Sequence, residues 1–338
     1  MKRAKLLALL LCTGMLLLLF AGVSQAALTL KFAHNGNTIP DDAQNVGCAM
    51  FKKIVEEGSK GEIVVQLYPA AQLGDARTIV EGVQMGTIEM GDVENGPMGR
   101  FLPEAMLWDL PYIFRDIDHA HAVLDGPIGQ AIQKKYQEKN IIHLAYNDGG
   151  FRYFTNNKRP IKTMSDIKDL KIRVMESEVM ISTINAFGSS AIPMAFGELY
   201  SALQQGVVDG QENPLNLIFS QRFYEVQKYL SMSQHFYYPR QYIVSPAFWK
   251  KLSPAQQELI TRASKEGCAA QRKRIAVQED EMKVELLKLG MQAIETADFD
   301  KEPFAKVARE QVYPKFYAKI GGTEQAGKAL IDQVINTK

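Results

Sequence analysis

From Pro254 to Leu289 the chain runs for 36 residues with no helix breaker stronger than Gly267. Ser253 with Gln256 three residues on reads as a capping box, Pro254 fits the first helical position, and Gly290 supplies the stop. At 1.5 Å per residue an unbroken helix of this length would reach about 54 Å, well beyond the roughly 30 Å of one small domain. Two solutions are open to such a segment. It spans two domains, or it bends near Gly267 into two ordinary helices, and periodicity alone does not choose between them.

The rest of the chain alternates strand-like runs with helical patterns. Leu28 to Ala33, Ile63 to Tyr68 and Ile88 to Val93 read as strands, separated by helices over Ala43 to Glu57 and Ala76 to Met85. A helical stretch from Ile117 to Lys139 follows, then strands at Ile141 to Ala145 and Leu170 to Met175 and a helix near Val179 to Phe187. This rhythm predicts an α/β protein with a largely parallel sheet. About 300 residues exceed one comfortable core, so two domains are expected.

The first 26 residues read as a cleavable leader. Lys2, Arg3 and Lys5 precede an apolar run from Leu6 to Val23, and Ser24-Gln25-Ala26 forms a small-x-small cleavage site. Their removal leaves 312 of 338 residues and, with three cations and no acid lost, turns the formal charge from +1 to −2. That balance gives no sign of nucleic acid or an anionic membrane surface. Cys48 and Cys268 remain, to pair or to stay as buried thiols. The five histidines are scattered, and the chain has no Gly-x-Ser-x-Gly, phosphate loop, Cys-x-x-Cys or dinucleotide fingerprint. An enzyme with unmarked carboxylates is the only catalytic class left open.

The polar chemistry gathers in two places. In Gly197 to Pro214 (GELYSALQQGVVDGQENP) a helix through Leu199 and Leu203 ends at Gly206, Val207-Val208 reads as a short strand and Asp209-Gly210 as its turn. Gln211, Glu212 and Asn213 then fall beyond a strand end, the edge of an α/β sheet where ligands usually bind. In Leu170 to Ser177 (LKIRVMES), Arg173 sits within a buried strand pattern, where a guanidinium fork could take a carboxylate. Arg152 follows a strand and two glycines and is expected on a loop.

These segments, with Met194-Ala195-Phe196 and Tyr68 to Arg77 (YPAAQLGDAR), resemble the solute-binding proteins of TRAP transporters, the DctP/SiaP-like family. The resemblance runs from Leu30 to the C-terminal helices. It implies a two-lobed periplasmic binding protein fold of α/β type, with hinge strands and a long helix spanning both lobes. Lobe I would comprise residues 27–149 plus about 238–278, and lobe II residues 150–237 plus about 279–338. It also implies a receptor that delivers a small organic acid to TRAP membrane subunits, with no cofactor and no catalysis. Arg173 corresponds to the family's carboxylate-binding arginine and Arg152 to a second one. Asn213 is the asparagine of the Gln-Glu-Asn signature, which the chain would offer to the bound solute, Phe196 the aromatic before its helix, and Asn35 and Glu94 correspond to solute contacts of the sialic-acid branch.

One departure bears on the solute. Where that branch has Pro-Asn, this chain has Met175-Glu176. A second acid in a cleft already holding Glu94 would resist an extra carboxylate and suit an ammonium or a row of hydroxyls. The expected solute therefore carries one carboxylate plus amino or polyhydroxy groups, with aromatic keto acids and C4-dicarboxylates as alternatives. An enzyme or signalling sensor on the same fold is the alternative of another class.

Overall fold

The computed structural model describes residues 27–338; the expected leader and cleavage site lie outside them. Nine strands join in one sheet: β1 (Leu28–His34), β2 (Ile63–Tyr68), β3 (Met90–Glu94), β4 (Ile142–Asn156), β5 (Lys171–Val174), β6 (Ser190–Pro193), β7 (Gly210–Asn213), β8 (Tyr229–Val244) and β9 (Gln292–Ile294). The order is β2-β1-β3-β8-β4-β7-β5-β6, with β9 added to β8. Pairing is parallel within β2-β1-β3 and within β7-β5-β6. The two long strands β4 and β8 pair antiparallel with each other, β8 also antiparallel with β3 and β4 with β7. The sheet is thus mixed rather than largely parallel: two parallel wings share a pair of through-going strands.

The register of β4 against β8 shifts between Asp148 and Phe151, where Gly149 and Gly150 lie opposite the Tyr237–Pro239 stretch. Both glycines are required there. A Cβ on Gly149 would lie 1.9 Å from the Tyr238 ring, and Gly150 has φ +87°. Beyond this bulge β4 continues to Asn156, so Arg152 lies in a strand and not on the expected loop.

The long segment is one unbroken helix, Pro254–Lys288, opened by the predicted capping box. It does not bend at Gly267. That glycine marks a crossing instead: a Cβ there would lie 2.8 Å from the Gly47 carbonyl oxygen, and one on Gly47 would lie 2.8 Å from Gln271 Cβ. The helix Ala43–Gly58 therefore packs against the long helix through backbone. Farther along, Gln278 accepts a bond from the Ala43 amide, and the long helix also packs against the helix Leu215–Ser220 that follows β7. One helix thus packs on both wings.

Two other expectations need correction. Val207 and Val208 form no strand; Val207 is half exposed in a turn, and the strand is Gly210–Asn213 itself. The stretch 117–139 is broken at Gly126-Pro127 into helices Ile117–Asp125 and Pro127–Lys135. Cys48 and Cys268 are unpaired and buried.

Candidate functional site

The C-terminal ends of β1, β3 and β5 converge on a cavity of ≈ 330 Å³, mouth included. Five of the seven residues expected from the sequence line it: Asn35 just after β1, Glu94 ending β3, Arg173 in β5, Glu176 after β5, and Phe196 after β6. Pro97, Met175 and Met194 add apolar wall. The arrangement follows from parallel strands, whose carboxyl ends face one crevice.

Arg173 is buried, 1% exposed. Its Nε and Nη2 donate to the Met194 carbonyl oxygen at 3.1 and 2.7 Å, while Nη1 has no partner. Among the described residues it makes no ion pair with a carboxylate. Burial first, and the charge of Arg152 second, pull its pKa down to about 10, so it remains a cation at neutral pH. An unpaired cation in a dry site is costly, and a bound carboxylate would offset that cost. Phe196 stands beside it, its ring centroid 5.9 Å from the guanidinium carbon.

Arg152 and Asn213 do not line the cavity. Both are buried in the strands beneath it. Arg152 forks onto Glu212 through Nε and through Nη2 (2.9 Å to Oε1), and Nη2 also donates to Asn213 Oδ1 at 3.0 Å. Asn213 in turn donates to Gln211 Oε1. Glu212 thereby neutralises Arg152 and fixes its plane, and Arg152 Nη1 is left without a partner.

Arg240, in β8, went unrecognised in the sequence. It is buried, bonds Asp92 through Nε at 3.1 Å and reaches Glu94 at 3.4 Å. Asn35 donates to the other Glu94 oxygen at 2.8 Å. Tyr238 lies between the two hinge-strand cations, 4.5 Å from Arg152 and 5.8 Å from Arg240, and its burial raises its pKa. Glu176, partly exposed at the mouth, faces Arg100 at 3.8 Å. The second acid therefore has its own counter-ion, as Glu94 does. The signal for Arg240 was weak because Pro239 interrupts the run and Ser231, Ser233, Gln234, His235 and Gln241 hide its strand pattern.

Two wings around a polar crevice, with a buried guanidinium lacking an acidic partner, define a receptor for small organic anions. The chain belongs to bacterial extracellular solute-binding protein family 7, the receptors of TRAP transporters, whose profile matches residues 34–320. It is 35% identical over 299 residues to the 2,3-diketo-L-gulonate-binding periplasmic protein YiaO of Escherichia coli, covering 88% of this chain and 89% of that one. Among solved structures, a TRAP periplasmic solute-binding protein from Polaromonas bound to D-erythronate is 40% identical, with a TM-score of 0.85 over 92% of this chain and 99% of that one. Another from Sulfitobacter, with bound β-D-galacturonate, is 30% identical, with a TM-score of 0.85 over 91% of this chain and 99% of that one. The fold is the two-lobed one of these receptors.

Proposed function

We propose that the protein captures a small hydroxy acid with a single carboxylate and hands it to the membrane subunits of a TRAP transporter. The observation that carries this reading is Arg173: buried, facing the cavity, with a free Nη1 and no acidic partner among the described residues. Arg152, which does not line the cavity, would share the anion through its own free Nη1 once the site rearranges around the solute. Asn35 and Glu94 read hydroxyls, Phe196 shapes the apolar wall, and Asn213 holds Arg152 in register. Hydroxyls are favoured over an ammonium because Arg240 already balances Glu94 and Arg100 balances Glu176. With Arg240 and Arg100 already paired, Arg173 is the one of these three cations left for a carboxylate, which favours a solute that carries one. The apolar wall of Pro97, Met175, Met194 and Phe196 supports an aromatic keto acid as the second reading.

Of the lobe boundaries expected from the sequence, 27–149 plus about 238–278 and 150–237 plus about 279–338, the breaks at 149/150 and 237/238 are supported by the register shift between Asp148 and Phe151. Export with cleavage after Ala26 is supported by the leader pattern, and the mass of the secreted chain should begin at Ala27. Among the described residues no helix is long and apolar enough to cross a membrane. A receptor that only carries its solute leaves it unchanged, so recovery of the bound acid intact after long incubation is the expected outcome.

Thermal unfolding against D-erythronate, D-galacturonate, succinate and neutral analogues tests the solute class. An acid at a hundred times its Kd should stabilise by about 2.7 kcal/mol, and its neutral analogue should not. Arg173→Lys keeps the charge and loses the fork, and is expected to weaken the best acid by about tenfold or more. Affinity within twofold of wild type would remove Arg173 from the role given to it.

A further inference from the structure

Three consecutive residues follow Arg173-Val174, and each one touches the opposite wing. Met175, 5% exposed, covers Gly96 so closely that a Cβ there would lie 2.9 Å from the Met175 methyl. Glu176 faces Arg100 at 3.8 Å. Ser177 donates through Oγ to Asp109 Oδ2 at 2.9 Å, and both residues are buried. Asp109 is held from its own side by Asn95, whose Nδ2 donates to Asp109 Oδ1 at 2.8 Å. Both halves of this contact start beside the cavity. Asn95 and Gly96 follow the cavity residue Glu94, and Met175 lies two residues after the cavity residue Arg173. A tight turn, Ser177 amide to Met175 carbonyl at 2.7 Å, makes the three-residue segment stiff.

On the solute-receptor reading proposed above, we infer that Met175-Glu176-Ser177 is a clasp that holds the wings together over a solute seated on Arg173, with Ser177 and Asp109 as its positioning residues. The three contacts differ in weight. Arg100 and Glu176 are 47% and 36% exposed, so water and salt screen their pair. The Ser177–Asp109 bond lies in a dry site with a carboxylate as acceptor, where hydrogen bonds are stronger and their loss is felt most. Neither residue needs to touch the solute. The clasp acts on escape: it breaks when the wings part, so it slows dissociation and leaves encounter unchanged.

Ser177 also caps the helix Glu178–Ala186, its Oγ accepting from the Met180 amide at 3.4 Å, so removal of the hydroxyl would confound two roles. Ser177→Asp separates them. Aspartate is an equally good cap, yet it sets a second carboxylate against Asp109. Stopped-flow fluorescence of the mature receptor with D-erythronate and with D-galacturonate should show dissociation about tenfold faster or more in Ser177→Asp, with the association rate within twofold. Asp109→Asn in the same chain restores an amide donor for the new carboxylate and should bring dissociation back to within about threefold of wild type. Wild-type dissociation rates in Ser177→Asp, or no rescue by the second substitution in a chain that folds, would overturn the clasp. Should wild type bind neither acid, the solute reading fails by itself. The clasp is then read from X-ray scattering of the ligand-free chain, where a radius of gyration unchanged by Ser177→Asp would overturn it and a larger one restored by Asp109→Asn would support it.

Discussion

Two buried charges set the chemistry of the cavity, and they are handled in opposite ways. Arg152 is neutralised inside the protein by Glu212, whereas Arg173, among the described residues, is supplied only with the Met194 carbonyl, which leaves its charge for an incoming anion. Asp109 is the acidic counterpart. Burial pushes its carboxyl up to about 6, against the bonds from Asn95 and Ser177 and the charge of Arg152, with Glu212 adding to the rise. Since its folded pKa lies above the unfolded one, the native state takes up a proton between about pH 6 and pH 4 that the unfolded chain does not. This group therefore opposes folding at neutral pH; the penalty begins to ease as the pH falls through about 6 and is gone only below about pH 4. Asp109→Asn should lack that dependence. The stability advantage of the asparagine variant over wild type is expected to shrink, by on the order of 2 kcal/mol at most, between pH 7.5 and pH 5. Thermal unfolding of both proteins at the two pH values measures it, and a constant difference would contradict it. At this scale the sequence disclosed the residues that sit in recognisable motifs, Arg173 and Asn35 among them. Asp109 and Arg240 carry no local mark, because what makes them matter is a partner dozens of residues away.

Among the elements, the long helix was legible in length and in its start, both fixed by local chemistry. The meaning of Gly267 was not, because a glycine inside a helical pattern reads equally as a bend or as a close crossing. The crossing has a measurable consequence. Gly267→Ala should raise intrinsic helix propensity by about 1 kcal/mol and still lower stability, because the added Cβ meets the Gly47 carbonyl oxygen. Denaturant unfolding is expected to show a net loss of about 1 to 3 kcal/mol, and a net gain would mean that the helices can part without penalty. Strand β8 escaped notice for a related reason. It is buried on both faces yet interrupted by polar residues from Ser231 to Gln241, so neither alternation nor an apolar run announces it. Val207-Val208 misled in the opposite direction, a short apolar run that the turn simply leaves in water.

At the level of the whole molecule, the class of fold and the receptor role could be read in advance, while the mixed sheet could not. Long antiparallel connections between wings are settled by pairings remote in sequence. The interior near the crossing of the two helices holds both thiols, with Cys48 3.8 Å from the Tyr242 hydroxyl and both pKa values raised by burial. The native mature chain should resist a thiol reagent and release two free sulfhydryls when unfolded without reductant. Fewer than two would mean that the cysteines pair.

The through-going strands carry one further consequence. Arg152 and Arg240 sit on β4 and β8, the strands common to both wings, whereas Asn35, Met175, Met194 and Phe196 sit on loops at the wing tips. The two strand cations and most of the walls that tell one acid from another are thus written in separate stretches of the gene, Met175 beside Arg173 being the exception. Point changes at the tips can retune cargo while the bending strands and their cations pass unaltered to descendants. A scaffold divided in this way can diversify its diet without relearning how to shut.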